Sequence, residues 1–338
     1  DSAGNVSDTS NTVSITVDLE DPDAPTGVDL KDDSDTGLSI SDDKTNDVTP
    51  EFTFSGVTST DSVFIVTTQD SNTDTVGSGL ASSTSIDMTT SDLSVVPISY
   101  NDGSITIKGY AMDIAGNTSD ISASASLIIT LDTSEPTAPT SVVLQSGSDS
   151  GISTTDRLTN DTTPTFTIEG VTSTDSVLLI IDGSTASSGI ASSTSIDLNI
   201  SSVLTDGSYT VSTQTIDVAG NISTATVSDT LLRIDTQAPS KPSAPDLQAS
   251  SDSGFLDTDN VTNITTPVFN LTGLSSTIDS LALFVDGISN TDSIMSQINS
   301  STLRLENALI HGVHNIAIVA IDSAGNVSDT SNTVSITV

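Results

Sequence analysis

The chain has 338 residues with 45 acidic against 7 basic side chains, a formal charge of −38, and neither cysteine nor tryptophan. A field that negative repels nucleic acid and anionic lipid, and it leaves no basic stripe for phosphate contacts. No disulfide stabilises the fold, and no apolar run approaches the ~18 residues that span a bilayer, so direct membrane insertion is not expected.

Of the acids, 40 are Asp and only 5 are Glu, while Ser and Thr supply about a third of all residues. Asp is the short carboxylate of turns and compact oxygen-ligand loops, and Glu the one that suits helix surfaces. With Val, Ile and Thr abundant and Gly, Asn, Asp and Pro punctuating short apolar runs, the composition predicts an all-β protein.

Taken in chain order, residues 1–17 (DSAGNVSDTSNTVSITV) recur unchanged at 322–338. The D-x-A-G-N core returns as DIAGN at 113–117 and DVAGN at 217–221. In phase with it run SDTGLSISDDKTNDVTP at 34–50, SDSGISTTDRLTNDTTP at 148–164 and SDSGFLDTDNVTNITTP at 251–267. Asp18, Asp132 and Asp235 each open a Pro-bearing linker. Repetition at about a hundred residues predicts three domains, 18–132, 133–235 and 236–338. Residues 1–17 are then the last loop and strand of a preceding repeat, as expected of an internal piece of a longer chain. Residue 1 opens no signal peptide.

In the second repeat the pattern predicts strands at 142–145, 165–169, 177–181, 195–200, 209–217 and 226–234, with a short one near 185–188. Seven strands in about a hundred residues describe tandem immunoglobulin-like β-sandwiches in an elongated array. Phe52, Phe166 and Phe269 each follow the T-P dipeptide and read as core anchors of the second strand.

Together the linker D-T-x-x-P, the SDSGxSxxDxxTNDxTP segment and DxAGNxS resemble the bacterial immunoglobulin-like repeats of giant calcium-dependent surface adhesins. That resemblance implies extracellular extension domains in tandem, on the bacterial cell surface or in a secreted matrix, with calcium at the junctions. Two departures stand out: Ile264 replaces Asp47 and Asp161, and Asp43 stands where the second repeat has Arg157.

Sandwich topology brings four acidic segments to each junction. We call the segment between the first and second strands the early loop and the D-x-A-G-N turn the late loop. At the first junction these contribute Asp35, Asp42 and Asp47 from the early loop, Asp132 and Glu135 from the linker, Asp102 from a turn, and Asp217 from the next late loop. Five or more converging carboxylates do not all stay ionised without a cation, and calcium accepts 6 to 8 oxygens in irregular geometry. The corresponding candidates elsewhere are Asp149, Asp156 and Asp161, Asp252 and Asp259, the linker residues Asp18 and Asp235, and the late-loop residues Asp113 and Asp322. Each such Asp taken singly is otherwise a turn former bonded to its own backbone. Ile264 is expected to weaken the third early-loop site unless Asp257 or Asp259 substitutes.

No catalytic apparatus is visible. His311 and His314 align with Asp206 and Tyr209 and stand in one repeat alone, and no nucleophile elbow, P-loop or dinucleotide fingerprint occurs. The chain therefore reads as no enzyme. A structural spacer stiffened by calcium is favoured over a glycan- or host-protein-binding module, because spacing needs every copy alike. Three Tyr and no Trp also offer little stacking surface for sugars. The partners expected are neighbouring repeats of the same chain, with lateral self-association into a filament as an alternative.

Overall fold

A computed structural model describes residues 1–95, 99–274, 278–296 and 301–338. It is all-β among those residues, apart from one 3-10 turn at Ile121–Ala123. The chain divides into two compact units, Asp1–Pro136 with Ile216–Ile222, and Thr137–Thr215 with Ser223–Val338.

In the first unit Gly27–Leu30, Glu51–Ser55 and Ser85–Thr89 form one sheet, with Glu51–Ser55 in the middle. The facing sheet runs Lys44–Thr45, Ser126–Leu131, Gly103–Met112, Ser62–Gln69 and Asn72–Leu80. Alternation along Glu51–Ser55 turns Phe52 and Phe54 inward, where both are fully buried against Ile65, Ile105, Ile107 and Ile129. Residues 1–17 form no strand, and their Val6, Val13, Ile15 and Val17 are exposed.

The second unit holds two further apolar cores, centred on Phe166 and on Phe269, each fully buried as the post-Pro position predicts. In the second repeat Ser195–Asn199, Thr165–Glu169 and Ser141–Leu144 pair in that order. Opposite them lie Ser184–Ile190, Ser176–Ile181, Val211–Ile216 and Thr226–Val227. The third repeat follows the same plan, with Asp246–Leu247, Val268–Asn270 and Thr302–Arg304 in one sheet and Ile288–Ser296, Ile278–Val285, Val313–Asp322 and Val334–Thr337 in the other.

Two expected strands are broken. The run at 209–217 divides into Gly207–Tyr209 and Val211–Ile216, because Asp182 captures the N–H and the hydroxyl of Thr210, each at 2.7 Å. The run at 226–234 divides into Thr226–Val227 and Leu232–Ile234 around a turn in which Ser228 Oγ donates to the Thr230 carbonyl. Two pairings were not expected: Leu158–Thr159 lies parallel to Leu232–Ile234, and Lys44–Thr45 is parallel to Ser126–Leu131. This folds each early loop back onto the last strand of its own repeat.

Tyr209 donates its hydroxyl to the Thr205 carbonyl at 2.8 Å, the tyrosine-corner arrangement. His314 takes its place in the third repeat, with Nε2 2.9 Å from the Ile310 carbonyl and Nδ1 2.8 Å from Asp286 Oδ2. Both partners are acceptors, so only the doubly protonated imidazolium satisfies both. The Ile310 carbonyl and the Asp286 carboxylate accordingly raise the His314 pKa. Asp286 is lowered by the Asn315 N–H and by His314. Stability from His314 is complete below its unfolded pKa, about 6.5, and is lost as pH rises through the elevated folded value. The melting temperature of the third repeat should therefore fall as pH rises above about 6.5. His314→Tyr, which restores the corner bond, should flatten the profile, and an unchanged slope would count against the imidazolium.

Candidate functional site

Each early loop closes on one buried aspartate. Asp35, Asp149 and Asp252 are 3%, 2% and 4% exposed. Their Oδ2 atoms accept the backbone N–H of Asp43, Arg157 and Asn260 at 3.2, 3.1 and 3.0 Å. Those three donors, Asp43, Arg157 and Asn260, have φ of 57°, 61° and 57°, and their carbonyls in turn receive the N–H of Thr130, Arg233 and Thr337 on the last strands. The left-handed residue thus aims one peptide at the aspartate and the other at the strand, which explains the parallel pairing. In all three copies Oδ1 of the aspartate is buried without a hydrogen-bond partner. Burial raises the pKa of Asp35 and of Asp149. Asp43 is raised by burial and then by the charges of Asp35, Asp29 and Asp42.

The late loops are organised differently. Asp113 Oδ1 accepts the N–H of Ala115 and Asn117, and Oδ2 accepts Asn117 Nδ2. Asp217 and Asp322 repeat that clasp with Ala219 and Asn221 and with Ala324 and Asn326. The Asn117 side chain foremost among these donors holds the Asp113 pKa down. The same amide also grips the linker backbone: Asn117, Asn221 and Asn326 donate Nδ2 to the carbonyls of Asp18, Asp132 and Asp235 at 3.3, 2.8 and 2.8 Å. The linker carboxylates form short turns instead, accepting from Glu20, Ser134 and Gln237 two residues on.

Early and late loops meet directly. Within the first unit Thr36 Oγ1 donates to the Ala219 carbonyl at 2.6 Å, and within the second Ser150 Oγ donates to the Ala324 carbonyl at 2.5 Å. Gly37 and Gly151 have φ of 95° and 93°, and a Cβ on either would collide with the carbonyl of Val218 or of Ser323. Only glycine admits that approach.

The other predicted residues are dispersed. Asp42 pairs with Lys44 at 3.4 Å. Asp47 accepts from Ser34 Oγ and Thr49 N, and Asp161 from Thr163 N, both as turn formers. Asp156 and Asp259 accept from Leu158 N and Val261 N. Ile264 keeps the backbone bond of its counterparts, from its N–H to Thr262 Oγ1, and loses only the carboxylate turn. Asp102 bonds Thr133 and Ser134 of the linker, and Ser134 chiefly lowers its pKa. Glu135 is exposed. Among the described residues no three acidic or histidine groups are arranged to hold one ion.

Sequence reasoning missed Asp61, buried with Oδ2 unpartnered, its pKa raised by burial and then by the Asp113 charge. The T-S-T-D quartet at 58–61 and 172–175 was the available signal. It also missed Asn117, Asn221, Asn326, Thr36 and Ser150, whose work is hydrogen bonding. A cavity of about 560 Å³ beside Asp149 is lined by Thr154, Thr155, Arg157 and Thr167 among others, with no aromatic ring. Among the described residues no helix is long and apolar enough to cross a membrane.

Asn326→Ala should destabilise the second unit by about 1–2 kcal/mol, because it strips the Asp235 carbonyl and Asp322 of a shared donor. Urea unfolding checks this against Asn332→Ala, an exposed partner of Lys241 whose loss should be near neutral. Equal effects would remove the clasp from the explanation.

The profile of a bacterial Ig-like domain family matches residues 23–133, 136–236 and 238–338. Among solved structures the chain is similar to the FN1–FN3 domains of chicken CNTN1, at 13% identity and TM-score 0.37, covering 94% of this chain and 98% of that one. It is similar to a structure described as concerning host cell surface retention of a 1.5-MDa bacterial ice-binding adhesin, at 16% identity and TM-score 0.32 over 93% and 98% of the two chains. A tetra-tandem repeat in the extending region of a large adhesion protein matches at 19% identity and TM-score 0.25, over 92% and 73%. No curated protein matches.

Proposed function

We propose, from the premise that the chain belongs to the bacterial Ig-like domain family in three tandem copies, that it is an extender segment of a bacterial surface adhesin, stiffened by calcium at its loops. The observation that carries this reading is the repetition of one joint: early loop to late-loop alanine, and late-loop asparagine to linker carbonyl. A binding module would diversify its loops copy by copy, whereas a spacer reuses one geometry. The extracellular setting and the non-catalytic role follow from that reading.

Calcium is supported by residue chemistry. The unpartnered Oδ1 of Asp35, Asp149 and Asp252, and Oδ2 of Asp61 beside Asp113, are buried carboxylate oxygens that no donor among the described residues satisfies. A divalent cation meets that deficit, and hard oxygen donors select calcium over softer metals. Asp42 and Asp43 add charge to the Asp35 loop, while Arg157 brings a positive charge to the Asp149 loop, so the first early loop is the stronger cation site. When bound, the ion supplies charge neutralisation; the chain's own hydrogen bonds set the loop geometry.

Calcium at tenfold excess over its dissociation constant should stabilise each occupied site by about 1.4 kcal/mol. Asp35→Asn should raise the melting temperature of the first repeat in chelator, because a neutral amide relieves the buried charge, and should remove its calcium increment. Calorimetry with and without chelator checks both signs, beside scattering to follow the maximum dimension. A calcium increment that survives Asp35→Asn together with Asp61→Asn would overturn the ion assignment.

A further inference from the structure

The joint between early and late loops is built twice, and each half also occurs unmated. In the mated early loops Thr36 and Ser150 give the hydroxyl proton to Ala219 and Ala324, while accepting from Asn46 N and Asn160 N at 2.9 and 2.8 Å. The third early loop has the same S-D-S-G sequence as the second and keeps the incoming bond, Asn263 N to Ser253 Oγ at 2.8 Å. There Ser253 sends its proton back to Asn263 Oδ1 at 2.7 Å, and Gly254 lies outside the left-handed region that Gly37 and Gly151 occupy. With no alanine carbonyl to receive it, the donor satisfies itself within its own loop.

The receiving half shows the complementary state. Ala219 and Ala324 are 1% exposed, whereas Ala115 is exposed and open space surrounds the position a Cβ on Gly116 would take. Its clasp is already closed by Asp113 and Asn117, and Asn117 already holds the Asp18 carbonyl. Of the complete repeats' late loops, the second and third are taken by Thr36 and Ser150, which leaves 113–117. The covalent path is also present in the sequence: 322–338 is identical to 1–17, so Val338 stands where Val17 stands, directly before Asp18.

We propose that the early loop 251–254 of the third repeat docks on the late loop 113–117 of a second copy of this chain, joined in line. Ser253 then turns its hydroxyl from Asn263 to the Ala115 carbonyl, and Gly254 enters the left-handed region. The inference rests on the tandem architecture and not on the ion, so its test is run in chelator.

The experiment uses one polypeptide in which Val338 of a full copy is followed directly by residues 18–338 of a second, with amide hydrogen exchange read by mass spectrometry. Segment 113–117 of the second copy should slow by about tenfold or more against the single chain, approaching 217–221 and 322–326. Ser253→Ala should abolish the gain, and Ser253→Thr, which reproduces the residue at Thr36, should keep it. Exchange at 113–117 equal to that of the single chain overturns the docking, as does a gain indifferent to Ser253→Ala. If 217–221 and 322–326 exchange as fast as 113–117 in the single chain, the mated joints do not form and the proposal falls with them.

Discussion

The architecture depends on a bond between a buried carboxylate oxygen and one backbone N–H. Asp35, Asp149 and Asp252 each hold the peptide of a left-handed residue eight positions on. That bond bends the early loop so that its return limb pairs in parallel with the last strand, and it presents the next two residues, a hydroxyl and a glycine, outward. The cost is a carboxylate with a starved Oδ1, which burial pushes toward the protonated form in the first two copies. A buried charge without full compensation is costly to the fold, and it is this cost that the proposed calcium would relieve.

The Asp excess finds a second explanation in the late loops. A side chain one methylene shorter than glutamate's places its carboxylate over the N–H groups two and four residues on, and Asp113, Asp217 and Asp322 do this in each copy. Many of the acids that make the charge so negative are therefore turn formers first. Their shared amide donor, the fifth residue of D-x-A-G-N, carries the turn's order into the linker by holding a main-chain carbonyl. Because the carbonyl belongs to the backbone, the grip does not depend on whether the linker carboxylate is ionised.

Legibility in the sequence followed the kind of interaction. Apolar burial has a period and a volume, so the sandwiches and the anchors Phe52, Phe166 and Phe269 could be read from spacing alone. Backbone donors leave no mark in a sequence. The same aspartates that look like converging anions accept backbone N–H groups in the fold, and among the described residues no three acidic or histidine groups are arranged to hold one ion. The parallel return strand was hidden for the same reason: it is two residues long and is set by a positive φ carried by Asp, Arg or Asn, none of which announces it. The T-S-T-D aspartates were in phase and in plain view, but a single acid beside Ser and Thr reads as a turn until its burial is known.

The variation at the left-handed position shows how one joint serves copies of different charge. Asp43, Arg157 and Asn260 use only their peptide groups for the turn, so the side chain is free to set the local field. Asp43 adds a second carboxylate near Asp35 and is raised by burial and then by the Asp35 charge, while Asp35 is raised by burial and by the charge of Asp42. Arg157 instead sends its guanidinium to the Val142 and Thr230 carbonyls and to Ser228, tying the early loop to the first strand and the last turn with its own cation. Asn260 brings no charge. Since the two backbone bonds of this residue are common to all three copies, substitutions at this position change the local charge while leaving those bonds in place. Local charge and the backbone bonds of the turn are thereby carried by different atoms of the same loop, and each repeat sets the first without disturbing the second.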